Sequence, residues 1–155
     1  MDRRDIGSWL QGPKATLSEQ GIEFGYVGER LGFPEAGPNS VARMGRRLIA
    51  LCLDWFASMA VAGLIFPAVT YNTKSLLILV IFALQVFVLT TLTGSSFGQR
   101  ILKIRIINIS GSRLSMPRVL VRTLLLCWVI PALIWDRDGR GLHDRAVASV
   151  AVRIR

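Results

Sequence analysis

The stretch from Arg46 to Thr70 reads RRLIALCLDWFASMAVAGLIFPAVT: two arginines, then 23 residues in which Asp54 carries the only charge. A helix of ~20 apolar residues, rising about 1.5 Å per residue, spans a hydrocarbon core of roughly 30 Å. Residues 48–70 are therefore long enough to cross a bilayer. A carboxylate inside such a helix costs ~2.5–3.5 kcal/mol on insertion scales, so Asp54 needs a polar partner or a functional role.

The composition indicates a membrane protein. The mean hydropathy is +0.46 and 52% of the residues are hydrophobic, concentrated in three blocks at 48–70, 75–93 and 119–135. The first two predict membrane spans at about 47–67 and 75–94. The third, about 118–135, is short and is interrupted by Pro131. Residues 1–42 contain no signal-peptide pattern, so the first block is expected to remain as an anchor.

The charge distribution predicts the orientation. Residues 43–155 hold 15 basic and four acidic side chains, whereas residues 1–42 hold four basic and six acidic ones. The basic residues flank the apolar blocks without the pattern of a nucleic-acid-binding module, so no nucleic-acid partner is expected. The positive-inside rule predicts a multi-pass protein of the plasma membrane with a cytoplasmic N-terminus. The C-terminus is expected to be cytoplasmic as well. Expected contacts with anionic lipid headgroups are Arg46, Arg100, Lys103 and Arg105.

The predicted fold is an α-helical membrane protein with a small cytoplasmic or interfacial β-pair. The short loop between the first two blocks requires an antiparallel hairpin. Alternating polar and β-branched residues predict strands at about 100–109 and 147–154, which satisfy their backbone groups by pairing. Pairing requires both strands on one side, so the third block is expected to be re-entrant or broken near Pro131, or to lie along the interface. Residues 1–42 are predicted to form an irregular cytoplasmic arm, and residues 43–155 the membrane domain.

Three separated motifs resemble the RDD family of membrane proteins. They are Arg47, Ala50 and Asp54 in the first block, Gly98-Gln99-Arg100-Ile101-Leu102 after the second, and Gly141-Leu142-His143-Asp144-Arg145 before the terminal strand. The family is named for one arginine and two aspartates, and the resemblance implies that these are Arg47, Asp54 and Asp144, with Arg46 as a register alternative.

The resemblance covers about residues 43–153, and the chain departs from the family pattern at two places. Gln99 stands where the family tends to have Lys, and residues 146–149 replace a Leu-Ala-Gly-Thr run. The resemblance implies involvement in transport, with cation/proton exchange proposed for some members.

Two sets of polar residues are candidate sites. At ~1.5 Å per residue, Asp54 and Gln85 lie at similar depth and the Arg122 side chain can reach them, so these three residues are predicted to form a buried polar cluster. Asp54 is then either a structural residue or a proton or cation carrier. Asp144 is expected to pair with Arg100 or Arg105. His143 beside Asp144 lacks a nucleophile or metal set, so we expect no catalytic residues, no metal, no cofactor and no enzyme activity.

Two function classes follow. The first is a non-catalytic accessory or scaffold component of a larger membrane assembly, which needs only a helix-contact face and a basic cytoplasmic surface. The second is an oligomeric transporter that uses Asp54, since two spans alone cannot enclose a polar route. The expected partners are membrane lipids and either other membrane-protein subunits or further copies of this chain.

Overall fold

The computed structural model of the protein describes residues 25–128 and 140–154. Two long helices dominate it, α1 (Met44–Ile65) and α2 (Tyr71–Thr93), and both are long and apolar enough to cross a membrane. The short connection at residues 66–70 folds them into a packed pair, which confirms the predicted hairpin. Both helices begin earlier than the apolar blocks, because polar and small residues at their ends also adopt helical conformation. Their interface buries a stripe at four-residue spacing: Ala50, Asp54, Ser58 and Ala62.

A short helix, α3 (Phe97–Ile101), follows α2. The predicted strand start at residue 100 was wrong for this reason. Ser96 caps the helix by accepting from the backbone N–H of Gln99 at 3.3 Å, and the Gln99 side chain accepts from the Ser96 N–H at 3.1 Å. This reciprocal capping box stabilises a helical turn before the chain can extend. Lys103, with a φ of 55°, then redirects the chain into the strand.

The predicted pairing of two strands is confirmed. Strands β1 (Ile104–Asn108) and β2 (Ser149–Arg153) are antiparallel, with Ile104 opposite Arg153 and Asn108 opposite Ser149. Both are shorter than predicted. The sheet packs its buried side chains against the start of α1, in a core that contains Ala42, Ala50, Ile104, Ile106 and Ala151.

The segment before α1 also joins the sheet. Val41 forms an isolated antiparallel bridge with Val152, and Ala42 N–H donates to the Ala151 carbonyl at 2.8 Å. A single 3-10 turn, Glu29–Leu31, precedes it. Within the predicted arm, residues 25–42 are therefore partly ordered by the sheet, while residues 1–24 lie outside the described residues. The chain before α1, the chain after α2 and β2 consequently share one end of the hairpin.

Helix α4 (Met116–Cys127) packs against α2 and buries Val119, Arg122, Thr123 and Leu126 at helical spacing. The rest of the third block, including Pro131, lies outside the described residues, so its predicted re-entrant path stays a prediction. Helix α5 (Leu142–Ala146) packs on α4 and leads into β2.

Candidate functional site: two buried aspartate clusters

Asp144, in α5, is the centre of the first cluster and is 1% exposed. Arg122 Nε donates to its Oδ1 at 2.7 Å, and Arg47 Nη1 donates to its Oδ2 at 3.1 Å. Ser149 Oγ donates to Oδ1 at 3.1 Å, and His143 Nε2 lies 3.6 Å from Oδ2. One carboxylate therefore joins α1, α4, α5 and β2. We call this group the Asp144 cluster.

Arg47 extends the Asp144 cluster to the sheet and to the chain before α1. Its Nε donates to the Ala42 carbonyl at 3.0 Å and its Nη2 to the Ala151 carbonyl at 3.1 Å. All three donor-bearing nitrogens of the guanidinium thus have acceptors on separate segments. The planar fork of arginine suits this arrangement, whereas the ammonium of lysine cannot reproduce it.

Burial alone would raise the pKa of Asp144, since it disfavours the charged carboxylate. The positive charges of Arg122, His143 and Arg47 outweigh burial and hold the pKa of Asp144 well below its usual value of 3.8. The carboxylate is therefore ionised throughout the physiological range. A group that keeps its charge in this way is suited to ion pairing and not to proton transfer at neutral pH.

Asp54, in α1, is the centre of the second cluster and is 2% exposed. The backbone N–H of Gly98 donates to its Oδ1 at 2.7 Å, and the Ser96 hydroxyl donates to its Oδ2. Gln85 Nε2 donates to the Asp54 carbonyl at 2.9 Å and approaches Oδ1 at 3.4 Å. We call this group the Asp54 cluster. It attaches α2 and the start of α3 to the middle of α1.

Position 98 requires a glycine because α3 contacts the backbone of α1 there. A Cβ added to Gly98 would lie 2.1 Å from the Ala50 carbonyl oxygen and 3.0 Å from Leu53 Cβ. Only glycine permits this approach, and the approach brings the Gly98 N–H to Asp54. Gln99 has a separate role, because its side-chain carbonyl closes the capping box with Ser96, and a lysine has no acceptor to do so.

The residues that were predicted to form one buried polar cluster are divided between the two observed clusters. Asp54 and Gln85 are in contact, but Arg122 bonds to Asp144 and interacts with Asp54 only electrostatically over a longer distance. The reason is that Ser96 and Gly98, which were not placed in the cluster, already bind the Asp54 carboxylate. Likewise, Asp144 does not pair with Arg100 or Arg105. These two side chains are exposed, whereas α5 turns Asp144 inward.

The predicted lipid-contacting residues lie at the same end of the hairpin as the sheet. Arg100, Lys103 and Arg105 are exposed, while Arg46 is half-buried and its Nη1 donates to the Leu102 carbonyl at 3.3 Å. This exposure leaves three cations available to headgroups. The contact with lipid itself stays a prediction.

A family model places the chain among known proteins. The model of the RDD family matches residues 41–148, about two thirds of the sequence. The chain belongs to the RDD family. Family membership, together with two apolar helices of spanning length, indicates a membrane protein. No curated protein matches the chain. No solved structure matches it either.

The RDD match includes both aspartates and every other member of the two clusters except Ser149. Arg47, Asp54 and Asp144, which the resemblance implied as the family's arginine and aspartates, all lie within the matched residues and all are bonded inside this chain. Arg47 and Asp144 contact each other directly, although 97 positions separate them. The first aspartate is held apart, with its own set of donors.

Arg122 differs from Arg47 in one respect. It is 3% exposed, and its Nη1 has no hydrogen-bond partner among the described residues. A buried donor without an acceptor costs about 1–3 kcal/mol. Arg122 also lines a cavity of about 400 Å³ between α1, α2 and α4, into which both clusters extend. Arg122 is therefore a cavity-lining residue with a buried donor that has no acceptor among the described residues.

Only some of the cluster residues that sequence analysis missed have a recognisable signal in the sequence. Ser96-x-x-Gln99 is a capping-box pattern that was readable after an apolar helix, and it predicts the helical turn. The partnership of Arg122 with Asp144 depends on how α5 packs, and neither residue carries a local signal for it. The proximity of the His143 imidazole to the Asp144 carboxylate, with Nε2 3.6 Å from Oδ2, is visible only in the structure.

Proposed function

We propose that this RDD-family protein is a non-catalytic accessory or scaffold component of a larger assembly in the plasma membrane. One observation carries the proposal: both motif aspartates are bound by donors from the chain itself. The Asp144 carboxylate accepts hydrogen bonds from Arg47, Arg122 and Ser149. The Asp54 carboxylate accepts hydrogen bonds from Gly98 and Ser96. Residues that are saturated in this way stabilise a fold, and they are poorly placed to bind and release a transported ion.

The architecture supports a scaffold in a second way. The two clusters fix the sheet, α3 and α5 to the hairpin, which produces a rigid base at one membrane surface. Exposed cations on that base, such as Arg100, Lys103 and Arg105, are suited to contacts with anionic headgroups or acidic partner surfaces. We place this base, with both termini, in the cytoplasm on the positive-inside rule.

Purification of the full chain from its native membrane tests the scaffold proposal. The protein, tagged and expressed at its natural level, is extracted in mild detergent, and the mass of the complex is measured. We expect a stoichiometric complex that contains other membrane subunits. The Arg47→Gln variant should lose this complex, because the base is no longer held to α1, while Arg145→Gln, an exposed arginine next to the cluster, should retain it. Recovery of homo-oligomers alone would contradict the proposal.

Cysteine labelling of intact cells tests the orientation. After Cys52 and Cys127 are replaced by alanine, single cysteines are introduced at Asn72, between the predicted spans, and at Arg113, between β1 and α4. Both positions are exposed. An impermeant maleimide should label Asn72→Cys and spare Arg113→Cys until the cells are permeabilised. The reverse pattern would place the basic base outside.

The second candidate is an oligomeric cation/proton exchanger that uses Asp54. The observation that favours it is that Asp54 lines the cavity between the helices. Proteoliposomes of the purified protein, with a pH gradient and added Na⁺, K⁺ or Li⁺, measure exchange directly. A transporter loses exchange in Asp54→Asn, which cannot titrate, and keeps it in part in Asp54→Glu. We expect no exchange above empty liposomes in the wild type, and robust exchange that is abolished in Asp54→Asn would favour the transporter.

A further inference from the structure

The cavity between α1, α2 and α4 has two chemically different ends. Its volume is about 400 Å³, within the range of small-molecule sites. The polar end contains Arg47, Arg122, His143 and Asp144. The rest of the wall is apolar and follows the spans, and it includes Leu51, Trp55, Leu79, Phe82 and Leu126.

The polar end has an unused donor. Arg122 gives its Nε to Asp144, but its Nη1 has no partner among the described residues even though the side chain is 97% buried. The carboxylate of Asp54 also borders the cavity, but this carboxylate already accepts hydrogen bonds from Ser96 and Gly98. The guanidiniums of Arg47 and Arg122 balance the two bonded carboxylates in charge. The hydrogen-bonding capacity left at Arg122 therefore requires an acceptor, and a negative one is favoured.

The order of the two ends along the hairpin selects the kind of ligand. The polar end lies at the base, beside the sheet, and the apolar wall continues into the part of the hairpin that the bilayer would surround. A free anion would leave the apolar wall uncovered, and a hydrocarbon without a head would leave Arg122 without an acceptor. A molecule with both parts satisfies both ends.

We propose that this cavity binds a membrane amphiphile, whose anionic head accepts from Arg122 and whose acyl chain lies against the apolar wall between α1, α2 and α4. The head is a phosphate or a carboxylate, as in an acidic phospholipid or a fatty acid. The site is distinct from the exposed cations Arg100, Lys103 and Arg105, which contact headgroups without enclosing them. The inference holds for a scaffold and for a transporter alike, because binding is measured on the purified chain.

Native mass spectrometry of the full chain in non-ionic detergent tests the head. Four probes form two matched pairs: dioleoylphosphatidylglycerol with dioleoylglycerol, which lacks the phosphate, and oleate with oleyl alcohol. We expect one saturable site that prefers the anionic member of at least one pair by about tenfold or more, since a charge-assisted hydrogen bond distinguishes them. A preference in the first pair identifies the head as a phospholipid phosphate, and a preference in the second identifies it as a fatty-acid carboxylate. Equal binding within both pairs would overturn the proposal, and so would inorganic phosphate that binds as tightly as the lipids.

Substitutions locate the site. Leu79→Trp fills the cavity from α2, whereas Leu76→Trp places the same side chain on a position of α2 that is 62% exposed and outside the cavity wall. Leu79→Trp should weaken binding by about tenfold or more, and Leu76→Trp should leave it unchanged. Arg122→Lys keeps a charge for Asp144 but offers no planar fork, and it should reduce the anionic preference.

The remaining outcomes also test the proposal. Equal effects of the two tryptophan variants would overturn the location. If the wild type binds none of the four probes, other protein atoms fill the cavity and the proposal is wrong. The head-group comparison uses the wild type alone, so it decides the matter even where a variant fails to fold.

Discussion

The change of Gly98 to alanine tests the contact between α3 and α1. Gly98 lies inside a helix, where alanine is favoured over glycine by about 1 kcal/mol, so helix propensity alone predicts stabilisation. The structure predicts the opposite sign, because the new Cβ would lie 2.1 Å from the Ala50 carbonyl oxygen and 2.9 Å from its carbonyl carbon. Both atoms are backbone of α1 and cannot rotate away. The start of α3 must therefore move.

The size of the loss follows from two terms. Forced displacement of packed atoms costs about 1–3 kcal/mol. Movement of α3 also lengthens the bond from the Gly98 N–H to Asp54, now 2.7 Å, and a bond to a charged group contributes about 1.5–3 kcal/mol. After the propensity gain is subtracted, we expect Gly98→Ala to lower the free energy of unfolding by about 2–5 kcal/mol.

The matched control is Gly63→Ala, in the interior of α1, where a Cβ would meet nothing within 4 Å. The assay heats each protein in mild detergent and measures the fraction that remains monodisperse. At about 2–4 °C per kcal/mol for a chain of this size, Gly98→Ala should lower the midpoint by about 4–20 °C. Gly63→Ala should leave it unchanged or raise it slightly. A Gly98→Ala midpoint equal to or above that of the wild type would refute the close contact.

Three further predictions use the same assay. Asp54→Asn should cost about 1–2 kcal/mol, because its amide oxygen still accepts from Gly98, whereas Asp54→Leu leaves several buried donors unpaired and should cost about 3 kcal/mol or more; equal losses would contradict this. Gln99→Lys should cost about 0.5–1 kcal/mol by opening the capping box, and Gln99→Glu, which keeps an acceptor, should be neutral. The folded pKa of Asp144 lies below its unfolded value, so its stabilisation is present at neutral pH and is lost as pH falls. The stability gap between wild type and Asp144→Asn should therefore be constant down to about pH 5 and shrink below pH 4, and a gap that shrinks between pH 8 and pH 6 would contradict this.

Much of the architecture was predictable because it follows from local pattern. Apolar length defined the two helices, and the short connection at residues 66–70 required the hairpin. Alternation within residues 100–109 and 147–154 predicted two strands, and unsatisfied backbone groups required them to pair. The cost of a carboxylate in a span predicted that Asp54 has polar neighbours, and its contact with Gln85 followed from equal depth.

The rest depended on contacts that no local pattern encodes. Arg122 lies at a depth from which it can reach Asp54, but depth does not reveal that Ser96 and Gly98 already bind that carboxylate. The partner of Asp144 was assigned to exposed cations, because the inward turn of α5 is a consequence of packing against α4. The absence of a Cβ at Gly98 could be read from the sequence, but its meaning depends on a backbone contact with Ala50, 48 positions away.

Arg47 and Asp144 are bound to each other, and this ion pair holds the sheet and α5 to α1. A double-mutant cycle between Arg47 and Asp144, read as thermal stability in detergent, tests it most directly. Asp144→Asn and Arg47→Met should each be strongly destabilising, by about 3–5 kcal/mol, because each removes one charge of a buried ion pair and leaves the other only partly compensated. The double variant should lose far less than the two losses together, with a coupling of about 1–3 kcal/mol. Losses that add to within about 0.5 kcal/mol would show that the two residues are independent and would contradict the account.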